Sequence, residues 1–292
     1  MSSSGTGGAV DVLHVEDDTG FADLVGRYLG EIDPGLSLHH EPGLDGALAH
    51  LRSTDVDCVV TDHDLGGADG LQIVDRVRDI DPAMPVILFT SRDSADVASE
   101  AIAAGATDYV QKGGRERYEI LAHSIRRAVD RRRARAAYRA VFDGVGDGII
   151  VHDADTYAVA DANLRACSML GYDRQELIGR GPDFFTADDQ PYVERAEDDR
   201  ITRAAAGETL SFRYVLVTAD DECIVGQVTM THARIDGEDR ALATIRAEAD
   251  RDHPAVREAV ATARRRLAES GSIEGLDDAG SPTDNGESPA RD

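Results

Sequence analysis

Short apolar runs alternate with amphipathic stretches from Val10 to about Tyr138, and this alternation predicts the fold of the first part of the chain. We interpret five apolar runs as β-strands: VDVLHV, LSLHH, DCVVTD, PVILFT and TDYV. Helical spacing of apolar residues occurs between them, over residues 20–30, 43–52, 70–80 and 94–104. Strands that alternate with helices are typical of a doubly wound α/β domain. We therefore expect a five-stranded parallel sheet within residues 9–130.

A stretch without glycine or proline follows the fifth strand and predicts one long helix. Its sequence is RERYEILAHSIRRAVDRRRARAAYRAVF, in which Tyr118, Leu121, Ile125 and Val129 form an apolar stripe. Arginines replace the apolar residues after Val129. We expect this helix to pack on the first domain and then to continue, as a connector over residues 115–140, into a second domain.

The apolar pattern changes from about Gly146 onwards. GIIVHD and YAVAD predict a strand pair, and ANLRACSML and DQPYVERAEDDRITRAAAG predict helices. TLSFRYVLVT, ECIVGQVTMTHA and RALATIRAEA predict three longer strands. This order is typical of an α+β domain with one antiparallel sheet, which we place at residues 138–250. Beyond it we expect a helix over 251–270 and a disordered acidic tail over 271–292.

The chain is strongly acidic, which changes the expectations about its environment. Its 56 acidic and 31 basic residues give a net charge of −25, and Lys112 is the single lysine. Such a composition is typical of a halophilic protein, because concentrated salt screens self-repulsion; codon bias toward arginine is the alternative explanation. The connector 115–140 is the exception, with nine basic and three acidic residues. We expect its arginines to hold the two acidic domains together through ion pairs.

Neither a membrane segment nor a disulfide framework is predicted. No run approaches the roughly 20 apolar residues that a transmembrane helix needs. The first residues, MSSSGTGGAVD, lack the features of a secretory signal, so we expect a cytoplasmic protein. The cysteines, Cys58, Cys167 and Cys223, are too few and too far apart for a CxxC metal site, and we expect them to be reduced and buried.

Polar residues follow four of the predicted parallel strands, at the sheet edge where ligands of α/β domains bind. In strand order they are Glu16, Asp17 and Asp18, then Asp62, then Thr90 and Ser91, then Tyr109 and Lys112. Carboxylates from neighbouring strands would crowd into one crevice, which favours a cation with hard oxygen ligands such as Mg²⁺. A hydroxyl and an ammonium beside that cation would complete a site for a phosphoryl group.

The segments VLHVEDD, VVTDHDLGGADG, LFTS and DYVQK resemble, in order and spacing, the receiver domain of two-component response regulators. The resemblance covers about residues 9–130, and the acidic composition makes the chain similar to the haloarchaeal type. It implies that Asp62 accepts a phosphoryl group from a kinase phosphohistidine. It also implies that Glu16 and Asp17, with Asp62, hold Mg²⁺.

The same resemblance implies roles for three further residues. Thr90 would hydrogen-bond a phosphoryl oxygen, Lys112 would neutralise one, and Tyr109 would be the aromatic switch residue. Two positions depart from the family pattern. Gly113 replaces the proline that usually follows the lysine, so we expect a trans peptide bond there. Asp64 adds a negative charge beside the acceptor, which leaves the lifetime of the phosphorylated form open.

The stretch GDGIIVHDADTYAVADANLRACSMLGYDRQELIGR resembles a PAS domain, and the resemblance covers about residues 138–250. It implies a small sensor or interaction module whose ligand varies across the family. The sequence does not identify a ligand for this domain, and a PAS domain without a ligand is an open alternative. The flavin-binding branch needs a cysteine where this chain has GRGPDFFTADD. For His152 we favour a half-exposed polar residue over a haem ligand, and for Cys167 a core residue over a redox centre.

These features predict a response regulator that is switched by phosphorylation and signals through its PAS domain by protein–protein interaction. Its own phosphoryl transfer and dephosphorylation would be its sole chemistry, because His123 lacks the sequence context of a kinase acceptor site. The expected partners are a histidine kinase and a downstream protein that contacts the PAS domain or the C-terminal helix, with a homodimer left open. The alternative is a DNA-binding transcriptional regulator that uses the arginine-rich connector. We do not expect nucleic acid as a partner, because the flanking acidic domains would repel it.

Overall fold

The computed structural model describes residues 8–67, 69–92, 95–187, 197–235 and 237–247. The chain divides between Arg139 and Ala140 into two compact units, each with its own sheet. The predicted helix over 251–270 and the predicted tail over 271–292 lie outside the described residues. Within the described part, no helix is long and apolar enough to cross a membrane.

Strands and helices alternate through the described part of the first unit. The strands are β1 (Val10–Val15), β2 (Leu36–Glu41), β3 (Cys58–Thr61), β4 (Val86–Thr90) and β5 (Asp108–Gln111). The helices are α1 (Thr19–Ile32), α2 (Leu44–Ser53), α3 (Gly70–Ile80), α4 (Ala95–Ala103) and α5 (Arg115–Gly144). All five strands are parallel, in the order β2-β1-β3-β4-β5, which confirms the predicted doubly wound α/β fold.

Two apolar cores form because alternate residues of each strand face opposite sides of the sheet. Val12 of β1 packs with Leu29 of α1 on one side. Leu13 of the same strand packs with Ile73 of α3 on the other side. Since helices cover both faces, the ends of the strands are where polar side chains gather without breaking the cores.

Helix α5 packs on the first unit through the stripe that the sequence predicted. Tyr118, Leu121, Ile125 and Val129 are all buried, in the core that also contains residues of α1. The helix then continues beyond the apolar stripe as far as Gly144. The predicted long helix is therefore present, and it ends four residues after the expected end of the connector at residue 140.

Among the described residues, three arginines of α5 make short ion pairs with carboxylates of the first unit, and a fourth, Arg115, lies 4.0 Å from Glu31. The short pairs, with their nitrogen–oxygen distances, are Arg126–Asp33 at 2.5 Å, Arg132–Asp81 at 2.6 Å and Arg133–Asp57 at 2.8 Å. Arg132 also donates to the backbone carbonyl oxygens of Val56 and Asp57. The prediction that the arginines join the two acidic domains is therefore wrong for Arg132 and Arg133. The numbers of acidic and basic residues in a segment do not show which acidic residue forms an ion pair with a given arginine.

The second unit is built on an antiparallel sheet. Its strands are β6 (Gly148–Asp153), β7 (Val159–Ala162), β8 (Leu210–Val217), β9 (Cys223–Ile235) and β10 (Glu238–Ala247). Its helices are α6 (Leu164–Leu170), α7 (Arg174–Leu177), α8 (Glu197–Ala205) and a 3₁₀ turn at Pro182–Phe184. The strand order is β7-β6-β10-β9-β8, which confirms the predicted α+β class. Residues 189–196, expected to be helical, lie outside the described part.

Helix α6 lies close to β6 because the residues between them are small. A Cβ atom placed on Gly148 would lie 3.3 Å from the Cα of Ala166 and 2.6 Å from the Cε of Met169. The start of α6 is fixed by Asn163, whose Oδ1 accepts hydrogen bonds from the backbone N–H groups of Ile149 and Ala166, both at 2.8 Å. One side chain therefore caps the helix and ties it to the sheet.

The three cysteines are free thiols. Cys58 is buried in the first unit, and this burial raises the pKa of its thiol above the usual range. Cys167 and Cys223 are only half-buried. The expectation of burial is therefore confirmed for Cys58 and wrong for Cys167 and Cys223. Cys167 packs against the core of the second unit, as predicted.

Candidate functional site

The polar residues predicted to form a site lie at or near the carboxyl ends of β1, β3, β4 and β5. Val15 pairs with Thr61 at the ends of β1 and β3, so the next residues, Glu16 and Asp62, lie side by side. Lys112 follows β5 directly. The parallel topology thus brings together side chains that are up to 96 residues apart in the sequence.

Lys112 bridges the two buried carboxylates. Its Nζ lies 2.6 Å from Oε2 of Glu16 and 2.6 Å from Oδ2 of Asp62. The side chains are 12%, 3% and 11% exposed for Lys112, Glu16 and Asp62, so water screens these contacts weakly. Two carboxylates and one ammonium leave a net charge of −1, and the cluster is suited to accept further positive charge.

The Asp62 carboxylate is held at both oxygens. Oδ2 accepts from Lys112, and Oδ1 accepts from the backbone N–H of His63 at 2.5 Å. The backbone is fixed as well, because the N–H of Asp62 donates to the carbonyl oxygen of Val15 at 3.1 Å. A Cβ atom on Gly70 would lie 1.9 Å from the carbonyl oxygen of Asp62, so this packing requires glycine there.

Asp17 and Asp18 follow Glu16 but do not join the cluster. Asp18 is the N-cap of α1, and its Oδ1 accepts from the N–H of Phe21 at 3.0 Å. Asp17 is exposed, and a Cβ atom on Gly66 would lie 2.8 Å from its Oδ2. Asp17 therefore lies against the loop that follows Asp62, apart from the pair that Lys112 bridges.

The oxygen donors of Glu16, Asp17 and Asp62 are of the hard type that Mg²⁺ prefers, so the chemistry of the set fits this ion. Their present arrangement does not form a complete site. Within the described residues, no group of three His, Cys, Asp or Glu side chains is placed to hold one ion. Binding Mg²⁺ would require the Asp17 side chain to turn toward Asp62. Lys112 would also have to lose part of its contact with the two carboxylates.

Thr90 and Tyr109 are linked to the site through the backbone. The N–H of Lys112 donates to the carbonyl oxygen of Thr90 at 2.7 Å. The Oγ1 of Thr90, which is buried, accepts from the N–H of Arg92 at 3.3 Å. The hydroxyl of Tyr109 donates to the carbonyl oxygen of Arg92. Thr90 and Tyr109 thus contact the same loop residue after β4.

Asp64, whose extra negative charge was singled out in the sequence, has a cationic neighbour. Its Oδ2 lies 3.5 Å from the guanidinium of Arg92. Both side chains are largely exposed, so the contact contributes little to stability. The pair nonetheless connects the loop after Asp62 with the loop that contacts Thr90 and Tyr109.

Sequence reasoning missed His14, which lies beneath this site on β1. His14 is buried, and neither ring nitrogen has a hydrogen-bond partner among the described residues. Burial, with smaller contributions from His40 and Lys112, lowers the pKa of His14 to about 3, so the ring is neutral. Burial also raises the pKa of the Glu16 carboxyl, against the opposing effect of Lys112. A histidine in the apolar run VDVLHV was the signal that could have revealed this residue.

Comparison with known families assigns both units. Residues 12–123 match the response regulator receiver domain, and residues 136–205 match the PAS domain. The chain carries a receiver domain followed by a PAS domain. The Lys112–Asp62 cluster therefore lies within the residues that match the receiver domain, and receiver domains generally use Mg²⁺ at an acidic site.

Curated relatives match the receiver domain over about a third of this chain. The methanogenesis regulatory protein FilR1 of Methanothrix harundinacea is 35% identical over 108 residues, which are 36% of this chain and 24% of that protein. The transcriptional regulatory protein ZraR of Salmonella typhimurium is 31% identical over 105 residues, 36% of this chain and 23% of that protein. The chain thus spans about a quarter of the length of these relatives.

Two solved structures are similar to parts of this chain. A CheY-like receiver domain protein from Methanospirillum hungatei is 20% identical to this chain, with a TM-score of 0.40. The match covers 44% of this chain and 98% of the Methanospirillum protein. The PAS domain of an HTR-like protein from Haloarcula marismortui has 28% identity and a TM-score of 0.33, and covers 40% of this chain and 98% of that one.

His152 of the PAS domain is more deeply buried than predicted. His152 is 2% exposed, whereas a half-exposed position was expected. The reason is that β6 pairs with both β7 and β10, so its last residues are covered. Burial lowers the pKa of His152 to about 4. The side chain is thus neutral at pH 7 and lies inside the domain.

Proposed function

We propose that this protein is the response regulator of a two-component phosphorelay, with Asp62 as the phosphoryl acceptor. The bridging of Glu16 and Asp62 by Lys112 supports this proposal most strongly. A receiver domain implies a histidine kinase as partner. In the reaction, a bond forms between a carboxylate oxygen of Asp62 and phosphorus while the phosphorus–nitrogen bond of the phosphohistidine breaks, and the imidazole leaves with the electron pair.

The surrounding residues would stabilise the charge that the phosphoryl group brings. Lys112 already contacts Asp62, so its ammonium is placed to meet a phosphoryl oxygen, and the hydroxyl of Thr90 would donate a hydrogen bond to another. Mg²⁺, held by Glu16, Asp17 and Asp62, would supply the positive charge that offsets the phosphoryl dianion. Protein groups fixed in advance need little rearrangement at the moment of transfer.

The output would pass through the loop after β4. Thr90 and Tyr109 both bind Arg92, through its N–H and its carbonyl oxygen. If Thr90 turns to the phosphoryl group, it gives up its bond to the Arg92 N–H, and the Arg92–Tyr109 contact is strained. Two arrangements of this loop would then differ in free energy according to phosphorylation. The proposed readout is protein–protein contact through the PAS domain or the C-terminal helix, in the cytoplasm.

The decisive experiment is phosphorylation of the full chain by acetyl phosphate with Mg²⁺, followed on a Phos-tag gel. A mobility shift is expected in the wild type and is expected to vanish in Asp62→Asn and on chelation. Asp64→Asn is the matched control, because it removes a carboxylate two residues away that is exposed and pairs with Arg92. A shift that persists in Asp62→Asn would contradict the assignment.

DNA binding through the connector is the second candidate function. Two observations support this candidate. One relative is named a transcriptional regulatory protein, and α5 carries exposed arginines such as Arg127, Arg131 and Arg135. The contacts of Arg132 and Arg133 argue against DNA binding, because both side chains form ion pairs with carboxylates of the receiver domain. Filter binding with a salt titration separates the two functions, since DNA contacts would give an affinity that falls steeply with salt.

A further inference from the structure

Two histidines lie side by side at one edge of the receiver sheet. His39 is on β2, the first strand in the sheet order, and His50 is on α2, the helix that follows β2 in the chain. The centres of the two rings are 5.2 Å apart, and the ring planes are tilted by 45°. The strand and the helix thus bring together two imidazoles that the function proposed for Asp62 does not use.

Each of these rings has a carboxylate partner at one of its nitrogens. Nδ1 of His50 lies 3.3 Å from Oε1 of Glu41, and Nε2 of His39 lies 3.5 Å from Oδ1 of Asp11. Because an ionised carboxylate only accepts hydrogen bonds, the nitrogen that faces it carries the hydrogen. A neutral ring then has its lone pair on the opposite nitrogen, which is Nε2 in His50 and Nδ1 in His39.

The lone pair on Nε2 of His50 has no partner. This nitrogen is buried, and nothing in the described part of the chain forms a hydrogen bond with it. A buried acceptor that stays unpaired lowers the stability of the folded state. A ligand that accepts electron density from this nitrogen would therefore be favoured at this point.

Both the partners and the spacing of the two rings are those of metal-binding histidines. A histidine that binds a metal usually donates its other ring N–H to a carboxylate, which orients the ring and makes the binding nitrogen more basic. Two imidazoles on one tetrahedral Zn²⁺, with Zn–N distances of about 2.0–2.1 Å, have their ring centres about 5 Å apart. The observed separation of 5.2 Å agrees with this geometry.

We propose that His39 and His50 together bind one divalent transition-metal ion of the Zn²⁺ type, through Nδ1 and Nε2 respectively. Glu41 and Asp11 would orient the rings without binding the ion, and water would complete the coordination, since the His39 side chain is 38% exposed. With two protein ligands, the site agrees with the absence of a three-residue metal cluster from the described residues. It differs in chemistry from the Asp62 site, because imidazole suits Zn²⁺ and carboxylate oxygen suits Mg²⁺.

The test is a calorimetric titration of the full-length protein with ZnCl₂ in the presence of excess MgCl₂. Mg²⁺ competes for carboxylate oxygens but not for imidazole, so binding that persists reports on histidine ligands. The wild type is expected to bind Zn²⁺ under these conditions, and His39→Gln and His50→Gln should each weaken this binding at least tenfold. Glu41→Gln should also weaken it, because loss of an orienting carboxylate typically costs about 10–100-fold in metal affinity.

His232→Gln is the matched control, because His232 also contacts a carboxylate, that of Asp239 at 2.9 Å, but lies in the PAS domain. This variant should bind Zn²⁺ as the wild type does. Asp62→Asn should do so as well, which lets this test and the phosphorylation test fail separately. In the wild type, Zn²⁺ should shift the ¹⁵N resonances of His50 Nε2 and His39 Nδ1, a measurement that does not depend on the folding of any variant. Absence of Zn²⁺ binding in excess MgCl₂, an equal loss in His232→Gln, or binding without these two shifts would each overturn the proposal.

Discussion

Arg126 binds Asp33 through two parallel hydrogen bonds, Nε to Oδ2 at 2.5 Å and Nη2 to Oδ1 at 2.8 Å. The pair joins α5 to the residue that ends α1, 93 positions earlier in the sequence. The two side chains are 18% and 25% exposed, so solvent screens the pair only in part. The hydrogen bonds from Arg126 lower the pKa of Asp33 below its usual range.

We predict that Arg126→Gln lowers the free energy of unfolding by about 1–2 kcal/mol, because a two-point charged contact is stronger than a typical surface pair. Urea unfolding of the full chain measures this change. Arg127→Gln is the control, since Arg127 is the exposed neighbour on the same helix, and its effect should stay within about 0.5 kcal/mol. Losses that simply add when Arg126→Gln and Asp33→Asn are combined would show that the two residues are not coupled.

The same pair predicts an acid-dependent loss of stability. The folded-state pKa of Asp33 is lowered, so its contribution is present above the unfolded pKa of about 4 and is lost as the pH falls through the folded value. The stability difference between the wild type and Asp33→Asn should therefore shrink below about pH 4. Unfolding midpoints measured from pH 7 to pH 3 check this. A difference that stays constant over that range would contradict it.

Lys112→Met should destabilise the receiver domain by about 3–5 kcal/mol at pH 7, because Glu16 and Asp62 would remain as buried carboxylates without a cation. Burial already raises the pKa of Glu16 against the opposing effect of Lys112, so without the ammonium this carboxyl stabilises the folded state at low pH, and that contribution is lost as the pH rises. The variant is thus expected to be more stable at pH 5 than at pH 7. Unfolding curves at both pH values measure this.

Mg²⁺ should partly replace the missing ammonium in Lys112→Met. At equal ionic strength, MgCl₂ is expected to raise the unfolding midpoint of this variant more than that of the wild type. Arg115→Met is the control, because it also removes one positive charge, at a side chain that is 66% exposed. If MgCl₂ acts equally on all three proteins, the effect is general screening and not replacement of Lys112.

Gly70→Ala is predicted to disrupt the loop after Asp62, because the new Cβ would lie 1.9 Å from a backbone oxygen. We expect a loss of more than about 3 kcal/mol or failure to fold. Gly30→Ala is the matched control, since the Cβ there would meet nothing within 4 Å and the residue lies in α1. It should be neutral or stabilise the protein by up to about 1 kcal/mol. Equal effects of the two substitutions in thermal unfolding would refute this account.

The net charge of −25 predicts a strong dependence of stability on salt. Raising KCl from 0.1 M to multimolar concentration should raise the unfolding midpoint steeply, because the screening length shrinks to about 3 Å at 1 M salt. A scan of unfolding midpoint against KCl checks this. A flat response would favour codon bias as the source of the arginines.

Much of the receiver domain could be predicted because its signals are local. Apolar runs such as PVILFT specify buried strands, and the parallel topology then places Glu16, Asp62 and Lys112 at one sheet edge. The contact between Lys112 and both carboxylates could not be predicted, because it depends on side-chain directions. The position of the Asp17 side chain could not be predicted for the same reason. Asp17 is next to Glu16 in the sequence, but its side chain lies outside the cluster.

The errors came from residues whose surroundings are set by distant parts of the chain. His152 lies near the end of a strand, which suggested partial exposure, but β10 from the far end of the domain covers it. Arg132 and Arg133 lie in a basic segment between two acidic ones, and net charge could not distinguish acids of the receiver domain from those of the PAS domain. His14 was overlooked because a single polar residue does not interrupt the apolar pattern of β1.

The single lysine has a practical consequence for labelling chemistry. Reagents that acylate amines find one side chain to modify in this chain, and that amine is shared between Glu16 and Asp62. Such reagents must reach the nitrogen, and the Lys112 side chain is only 12% exposed, with a carboxylate oxygen 2.6 Å away on each contact. The rate at which Lys112 is acylated therefore reports on whether the carboxylates still hold it. A mass spectrometer can read this rate from the one peptide that contains Lys112.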